Sequence, residues 1–169
     1  MIDLSLFQVV AVPLLLFAAA RDVATRLIPD GVSIAIAVAG LATRALVGWP
    51  EAGLSLLLGA AMFLLLLPLA ARGWLGGGDV KLMSAMAVGL APLDTWHFIV
   101  ATVFAGGALG LAYILGRHLV PQTRVAGQAS LLRRVMAVEA WRVRRRGPLP
   151  YAVAIAVGGI LVLSSLPRG

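Results

Sequence analysis

Long apolar stretches, separated by short charged or turn-forming segments, dominate the pattern of this chain. Each is a candidate membrane-crossing α-helix, because such a helix needs about 20 mostly apolar residues. The six stretches lie at about residues 4–20, 31–49, 52–71, 82–93, 95–116 and 148–166. The fourth is short, so it needs help from its glycine-rich beginning and its polar end, or a water-filled cavity beside it. The pattern therefore predicts an all-α, polytopic membrane protein with about six transmembrane helices.

The composition agrees with this prediction. Of the 169 residues, 61% are hydrophobic and 12% are charged, and the mean hydropathy is +1.00. Six helices use most of the chain, so we expect a single membrane-embedded domain over residues 1–169. The apolar beginning could also be read as a secretory signal ending at Ala18–Ala20, although no basic residue precedes it.

Cysteine and histidine are scarce. The chain has no cysteine and two histidines, which argues against disulfides, thiol catalysis and a Cys- or His-ligated metal site. We therefore expect neither a metal ion nor a cofactor.

Basic residues concentrate in alternate connections. Arg21 and Arg26 follow the first stretch, Arg72 and Lys81 flank the third connection, and arginines fill the fifth connection, residues 117–147. Cytoplasmic loops of membrane proteins carry an excess of Lys and Arg. The odd-numbered connections are therefore expected in the cytoplasm, with both chain ends outside.

Asp22 and Asp79 lie in connections that this topology brings to the cytoplasmic side. A carboxylate near hydrocarbon is costly and is by default a candidate functional group. Asp22 is expected to project from a helix end toward the interface, and an ion pair with Arg21 or Arg26 is the simpler explanation for it. Asp79 follows Gly76–Gly78, which tolerate unusual backbone angles and let a neighbour or a peptide approach closely. A flexible turn that ends in a helix-capping Asp is the simpler explanation there.

A pair formed by Asp22 and Asp79 would have the chemistry of an aspartic protease. Two carboxylates a few ångströms apart cannot both ionise cheaply, so they share a proton. One then acts as a base on water and the other as an acid toward a peptide carbonyl. This chemistry requires neither a nucleophilic side chain nor a metal.

Polar residues near these two acids have simpler roles. Pro29 favours a break before the second stretch, and Asp30, directly after it, is expected to be the N-cap of that helix. Lys81 could lower the pKa of an aspartate or contact a substrate, or it could only mark the cytoplasmic beginning of a helix. Its role stays open.

Three segments together resemble the type IV prepilin peptidases, which belong to the GxGD membrane aspartyl proteases. The segments are Asp22 with Ile28–Pro29, then Gly76–Leu82 (GGGDVKL), and Pro150–Ala156 (PYAVAIA) at the beginning of the last stretch. The resemblance implies that Asp22 and Asp79 are catalytic. It implies a prepilin or pseudopilin substrate, cleaved at the cytoplasmic face of the bacterial inner membrane after a glycine that ends a short basic leader.

Departures from the family pattern indicate the subtype. The larger members carry paired Cys-x-x-Cys motifs and also methylate the new pilin N-terminus, whereas this chain has no cysteine. It is similar instead to the small peptidase-only members of tight-adherence (Flp) pili and to archaeal preflagellin peptidases. Asp30 stands where the family often has Asn, which leaves a side role for Asp30 open. Arg21 stands where the presenilin branch usually has Tyr, which argues against that branch.

The basic connection predicts a cytoplasmic amphipathic helix. Apolar residues alternate with arginines over residues 127–146, as in helices that lie among lipid headgroups. We expect this segment to bind anionic lipid and not nucleic acid, because the positive-inside bias already explains its arginines. The competing function for the whole chain is a small transporter or channel in which the two acids form an ion or proton relay. A non-catalytic component of a secretion system is a third possibility.

Overall fold

The computed structural model describes residues 2–119, 131–144 and 148–165, and this part of the chain is helical apart from short connections. The helices are α1 (Ile2–Thr25), α2 (Asp30–Val47), α3 (Trp49–Ala71), α4 (Gly77–Gly89), α5 (Pro92–Leu119), α6 (Leu131–Arg144) and α7 (Tyr151–Ser165). The expected all-α fold is confirmed for the described residues.

Four helices are long and apolar enough to cross a membrane. They cover Leu6–Thr25 within α1, the whole of α2 and α3, and Pro92–Gly116 within α5. The chain is therefore an all-α membrane protein. The other two apolar stretches form shorter helices, since the 13 residues of α4 and the 15 of α7 span about 20 Å at 1.5 Å per residue, less than the roughly 30 Å of a hydrocarbon core.

The short helix α4 lies at the centre of the bundle. It packs against α2, α3 and α7, and every residue from 82 to 90 is buried. Its Leu82 and Met86 side chains are fully buried in the core. A helix surrounded by other helices does not have to match the thickness of the membrane, because protein and not lipid surrounds its ends. The short fourth stretch is thus explained by burial inside the bundle.

Small residues allow the helices to approach closely. A side-chain carbon placed on Gly40 of α2 would lie 2.5 Å from the Cα atom of Gly89 in α4, and one on Gly158 of α7 would lie 2.7 Å from the backbone nitrogen of Thr102 in α5. Helices in membranes associate through such contacts because apolar burial supplies no driving force between them in lipid. These glycines fix the distances between helices around α4.

Two boundaries differ from the sequence prediction in ways that matter for the site. Helix α1 continues to Thr25 instead of ending near residue 20, so Asp22 lies inside its last turn. Helix α4 begins at Gly77 and not at residue 82, so Asp79 is its third residue. Both acids are therefore held on helices instead of lying in the connections.

Helix α6 lies within the range 127–146 for which an amphipathic helix was predicted, and residues 120–130 and 145–147 lie outside the described part of the chain. Helix α6 contacts α5 and α1. Its Met136, Val138 and Trp141 side chains are exposed. An apolar surface of this kind on a basic helix is typical of a helix that lies on a membrane.

Candidate active site

The structure brings the two acids predicted from the sequence into one electrostatic site. Asp22 and Asp79 are 7% and 8% exposed, and the negative charge of Asp22 acts directly on the Asp79 carboxyl group. Buried carboxylates are rare unless they are paired or functional. Two of them that interact electrostatically form a candidate catalytic pair.

Asp22 is held by the beginning of α7. Its Oδ2 atom accepts a hydrogen bond of 3.1 Å from the backbone N–H of Ala152, the second residue of that helix. The first N–H groups of a helix have no partner within it, and their partial positive charge stabilises an anion. The alternative of an ion pair with Arg21 or Arg26 is wrong, because Arg26 pairs with Glu139 and Asp22 forms no salt bridge with a described residue. Helix α7 therefore supplies part of the stabilisation of a charged Asp22.

Asp79 is only partly explained as a helix-capping residue. Gly76 is the N-cap of α4, and its backbone hydrogen bond to the Asp79 carboxyl group resembles half of a capping box. The Oδ1 atom of Asp79, however, is buried and has no hydrogen-bond partner among the described residues. A buried polar atom without a partner is costly and needs an explanation, of which a catalytic role is one.

The surroundings of Asp79 favour its protonated form. Burial, and then the negative charge of Asp22, raise the pKa of Asp79 from 3.8 to about 7, against smaller lowering effects of the Gly76 hydrogen bond and the Arg26 charge. A carboxyl group of this kind holds a proton near neutral pH and can donate it.

Tyr151, the first residue of α7, belongs to the same site. It is half-buried and lies near enough to Asp79 for the charge of that carboxylate to act on its hydroxyl group. The segment around it was part of the family resemblance, yet nothing in the sequence marked Tyr151 as a site residue. The first turn of α7 thus approaches both acids, through Ala152 at Asp22 and through Tyr151 at Asp79.

The three glycines before Asp79 differ in their surroundings. A side-chain carbon on Gly76 would lie 2.6 Å from Asp79 Oδ2, and one on Gly78 would lie 3.1 Å from the Cβ atom of Ile28. One on Gly77 would meet nothing within 4 Å. Gly76 therefore leaves room for the carboxylate, Gly78 for the packing of Ile28, and Gly77 is free of both constraints.

Asp30 and Lys81 form an ion pair away from the acids. Pro29 and not Asp30 is the N-cap of α2, and no side-chain hydrogen bond caps that helix, so the predicted capping role of Asp30 is wrong. Its carboxylate instead lies 2.7 Å from the Lys81 ammonium group. The partner of Lys81 is therefore Asp30, and Lys81 is not among the charges that shift the pKa of Asp79.

A cavity of about 310 Å³ lies between α2, α3 and α4. Asp30 and Lys81 supply its charged groups, and Ile34, Phe63 and Val88 are among its apolar ones. Neither of the two acids lines this cavity, so it is adjacent to the candidate catalytic pair and separate from it.

A cluster of charged residues that sequence reasoning missed connects α6 to the site. Glu139 lies at its centre and accepts hydrogen bonds from Arg26 (2.5 Å), Arg142 (3.2 Å) and the hydroxyl group of Tyr113. Arg142 also donates a hydrogen bond of 2.7 Å to the backbone carbonyl of Val23. The signal in the sequence is that Glu139 is the sole acidic residue between positions 117 and 147. We call Arg26, Tyr113, Glu139 and Arg142 the Glu139 cluster.

Arg26 ends α1 in an unusual conformation. Its φ angle is +58°, in the left-handed region that costs a non-glycine residue on the order of 1–3 kcal/mol. Glycine is the usual residue at such a helix end.

Among the described residues, no three His, Cys, Asp or Glu side chains are grouped so that they could hold a metal ion.

Comparisons with known proteins bear on this site. A sequence model of the type IV leader peptidase family matches residues 9–115, a range that includes both acids. The prepilin leader peptidase/N-methyltransferase of Bacillus subtilis (strain 168) is 30% identical over 164 residues, which are 95% of this chain and 56% of that protein. The chain thus spans little more than half the length of the curated relative that it matches. No solved structure matches the chain.

Proposed function

The chain belongs to the type IV leader peptidase family, and on that premise we propose that it is an aspartic endopeptidase that removes the leader of prepilins or pseudopilins. The observations that support the proposal are the burial of Asp22 and Asp79 and the electrostatic interaction between them. Carboxyl pairs of this kind share a proton and hydrolyse peptide bonds with an activated water.

The environments of the two acids suggest different roles. Asp22 is the base, since the backbone N–H of Ala152, at the beginning of α7, donates a hydrogen bond to its Oδ2 atom and stabilises the carboxylate form. Asp79 is the acid, since burial and the charge of Asp22 keep its proton in place near neutral pH.

The reaction then follows the usual proton balance of an aspartic protease. Asp22 takes a proton from water as the water oxygen bonds to the scissile carbonyl carbon, and Asp79 gives its proton to the carbonyl oxygen. The product of this first step is a tetrahedral diol. In the second step its carbon–nitrogen bond breaks, the proton on Asp22 passes to the leaving amine, and one hydroxyl proton of the diol returns to Asp79. Both acids end in their starting states.

The charges around the pair support this assignment. When Asp22 and Asp79 share one proton, the pair carries one negative charge and Glu139 carries a second. These two negative charges balance the positive charges of Arg26 and Arg142. A balanced site avoids a net buried charge, which would be expensive in a medium of low dielectric constant. A singly protonated pair is thus the resting state that its surroundings suit.

We propose that the single domain over residues 1–169 crosses the bacterial inner membrane six times, with both ends outside and the two acids at the cytoplasmic boundary. Exposed tryptophans support two interfacial belts, with Trp49 and Trp96 toward the outside and Trp74 and Trp141 toward the cytoplasm.

The substrate proposal follows the family resemblance. The leader of an Flp-like prepilin is cleaved after its final glycine, with the backbone of Gly76–Gly78 and the side chain of Lys81 as contacts for the extended chain. No methylation follows, since the chain has no cysteine. The basic segment 117–147 binds anionic lipid headgroups at the same membrane face.

Co-expression with candidate prepilins tests the proposal. The Asp22→Asn and Asp79→Asn variants are each expected to lose leader cleavage by at least about 100-fold, because general acid and base catalysis are removed, while the protein remains inserted in the membrane. Loss of the leader is followed as a shift on a gel. The matched control is Asp94→Asn, at the beginning of α5, which should cleave normally. Near-normal cleavage by either Asn variant at position 22 or 79 would contradict the mechanism and favour the ion-relay alternative.

A further inference from the structure

Arg26 is the charged residue that connects the Glu139 cluster to the acid pair. Its positive charge acts on both Asp22 and Asp79, and its backbone N–H donates a hydrogen bond of 2.9 Å to the carbonyl of Asp22. Arg26 therefore comes directly after the last turn of α1, on which Asp22 lies.

The Arg26 side chain is partly buried, and only part of its guanidinium group has a partner. It is 15% exposed and pairs with Glu139 at 2.5 Å, while its Nε and Nη1 atoms are buried with no hydrogen-bond partner among the described residues. A structural ion pair would ordinarily satisfy these donors as well, since buried polar atoms are nearly always paired. Two guanidinium nitrogens of Arg26 therefore have no role in the ion pair with Glu139.

Helix α6 holds the partner of Arg26. Glu139 is fixed by Tyr113 of α5 and by Arg142, and Arg142 also binds the carbonyl of Val23 in the last turn of α1. The family match ends at residue 115, so α6 and Glu139 lie beyond the matched range. The docking of α6 thus determines where the charge of Arg26 lies.

We propose that Arg26 is a positioning residue whose guanidinium group, fixed by Glu139 of α6, sets the pH range in which Asp22 and Asp79 share one proton. This inference rests on the proposed function of the two acids. A positive charge favours the ionised form of a neighbouring acid, and it acts strongly where water is excluded. The charged and titratable groups that interact with the pair are Arg26 after α1, Glu139 and Arg142 on α6, and Tyr151 on α7, and Tyr113 on α5 acts on Glu139.

The proposal predicts shifts of opposite sign for two substitutions. Arg26→Gln removes the positive charge, so both acids keep their protons to higher pH. The acidic and the alkaline limbs of the plot of cleavage rate against pH should then both move to higher pH, by about 0.5 to 1 unit. Glu139→Gln removes a negative charge and leaves Arg26 without its counterion, so both limbs should move down. The double variant restores the balance of charge, and its limbs should return toward those of the native protein.

The measurement is the cleavage rate of a synthetic prepilin peptide by the full-length protein in lipid vesicles between pH 5 and 9. Arg26→Lys keeps the charge and should lower the rate without moving the limbs, because an ammonium group does not reproduce the fork of the guanidinium. Arg72→Gln is the matched control for loss of a cytoplasmic arginine. Arg72 is exposed, stacks on Trp74 at 5.9 Å and should leave both the rate and the limbs unchanged.

Each outcome decides the proposal. Limbs that stay in place in both single variants, or that move in the same direction, overturn it and reduce the Glu139 cluster to a structural role. For a variant that is folded but too slow to assay, the pH dependence of its Tm reports the same titration. If Asp22→Asn and Asp79→Asn keep cleaving, the proposed function itself fails. If they lose cleavage while the limbs stay in place, only the role of Arg26 fails.

Discussion

The Oδ2 atom of Asp22 accepts a hydrogen bond of 3.1 Å from the backbone N–H of Ala152, which joins the last turn of α1 to the first turn of α7. The neighbouring Tyr151 interacts electrostatically with Asp79. One helical turn, the first of α7, therefore interacts with both acids, and it lies in the segment Pro150–Ala156 that forms part of the family resemblance.

The first prediction concerns pH. The pKa of the Asp79 carboxyl group is about 7 in the folded protein, against an ordinary value of 3.8. Between these two pH values the carboxyl group is protonated in the folded state and ionised in the unfolded state. Cleavage should therefore fall as the pH rises through about 7, because the acid loses its proton. The free energy of unfolding should also fall as the pH rises from 3.8 to about 7, since in this interval the folded state binds more protons than the unfolded state. Peptide cleavage rates and Tm values from pH 5 to 9 check both. A cleavage rate that does not fall until about pH 9 would contradict the role of Asp79 as the acid.

The second prediction separates the glycines. In Gly76→Ala, the new methyl group would lie 2.6 Å from Asp79 Oδ2, so the carboxyl group must move, and kcat should fall by about 100-fold. Gly77→Ala meets open space and should fold at least as well as the native protein, because alanine favours a helix by roughly 0.5–1 kcal/mol over glycine.

The Gly77→Ala variant also tests the proposed substrate contact. Because the free protein has room for the methyl group, an increase in KM without loss of stability would report close approach by the substrate backbone. An unchanged KM would remove Gly77 from the substrate contacts. Steady-state kinetics and thermal unfolding of the two variants side by side provide the comparison.

The third prediction uses the length of one side chain. Asp22→Glu keeps the charge but displaces the carboxylate from the Ala152 N–H in a site where Asp22 is 7% exposed. Misplacement of a catalytic group by about 1 Å can cost on the order of 100-fold in rate, so leader cleavage should be lost while the protein inserts normally. Asp94→Glu, in the first turn of α5, is the control. Full activity of Asp22→Glu would show that the position of this carboxylate is not critical.

The fourth prediction concerns Lys81. The ion pair with Asp30 is exposed, with 45% and 63% of the two side chains accessible, and such pairs contribute about 1 kcal/mol or less to stability. Lys81→Gln should therefore leave the free energy of unfolding nearly unchanged and raise KM for the prepilin several-fold. Asp30→Asn, which removes the ion pair and keeps the lysine, should leave KM unaltered. Equal KM values for both variants and the native protein would reduce Lys81 to a topological role.

Much of the candidate site could be predicted from local sequence, because its signals are local. An acid after three glycines and an acid at the end of an apolar stretch are unusual in a chain with 12% charged residues. The errors arose where a second element decides the outcome. Asp30 looked like a helix cap because Asp after Pro is a good local candidate, yet Lys81, 51 residues away, takes its carboxylate.

The sequence by itself determined that this is a helical membrane protein with two unusual acids, since hydropathy, charge bias and glycine content act through composition and local spacing. Only the tertiary structure decided the partners of those acids. Ala152 lies 130 residues from Asp22 and Glu139 lies 113 residues from Arg26, so their contacts depend on how α1, α6 and α7 pack. Electrostatic interactions and hydrogen bonds act over a few ångströms in space, and a linear pattern does not specify such distances.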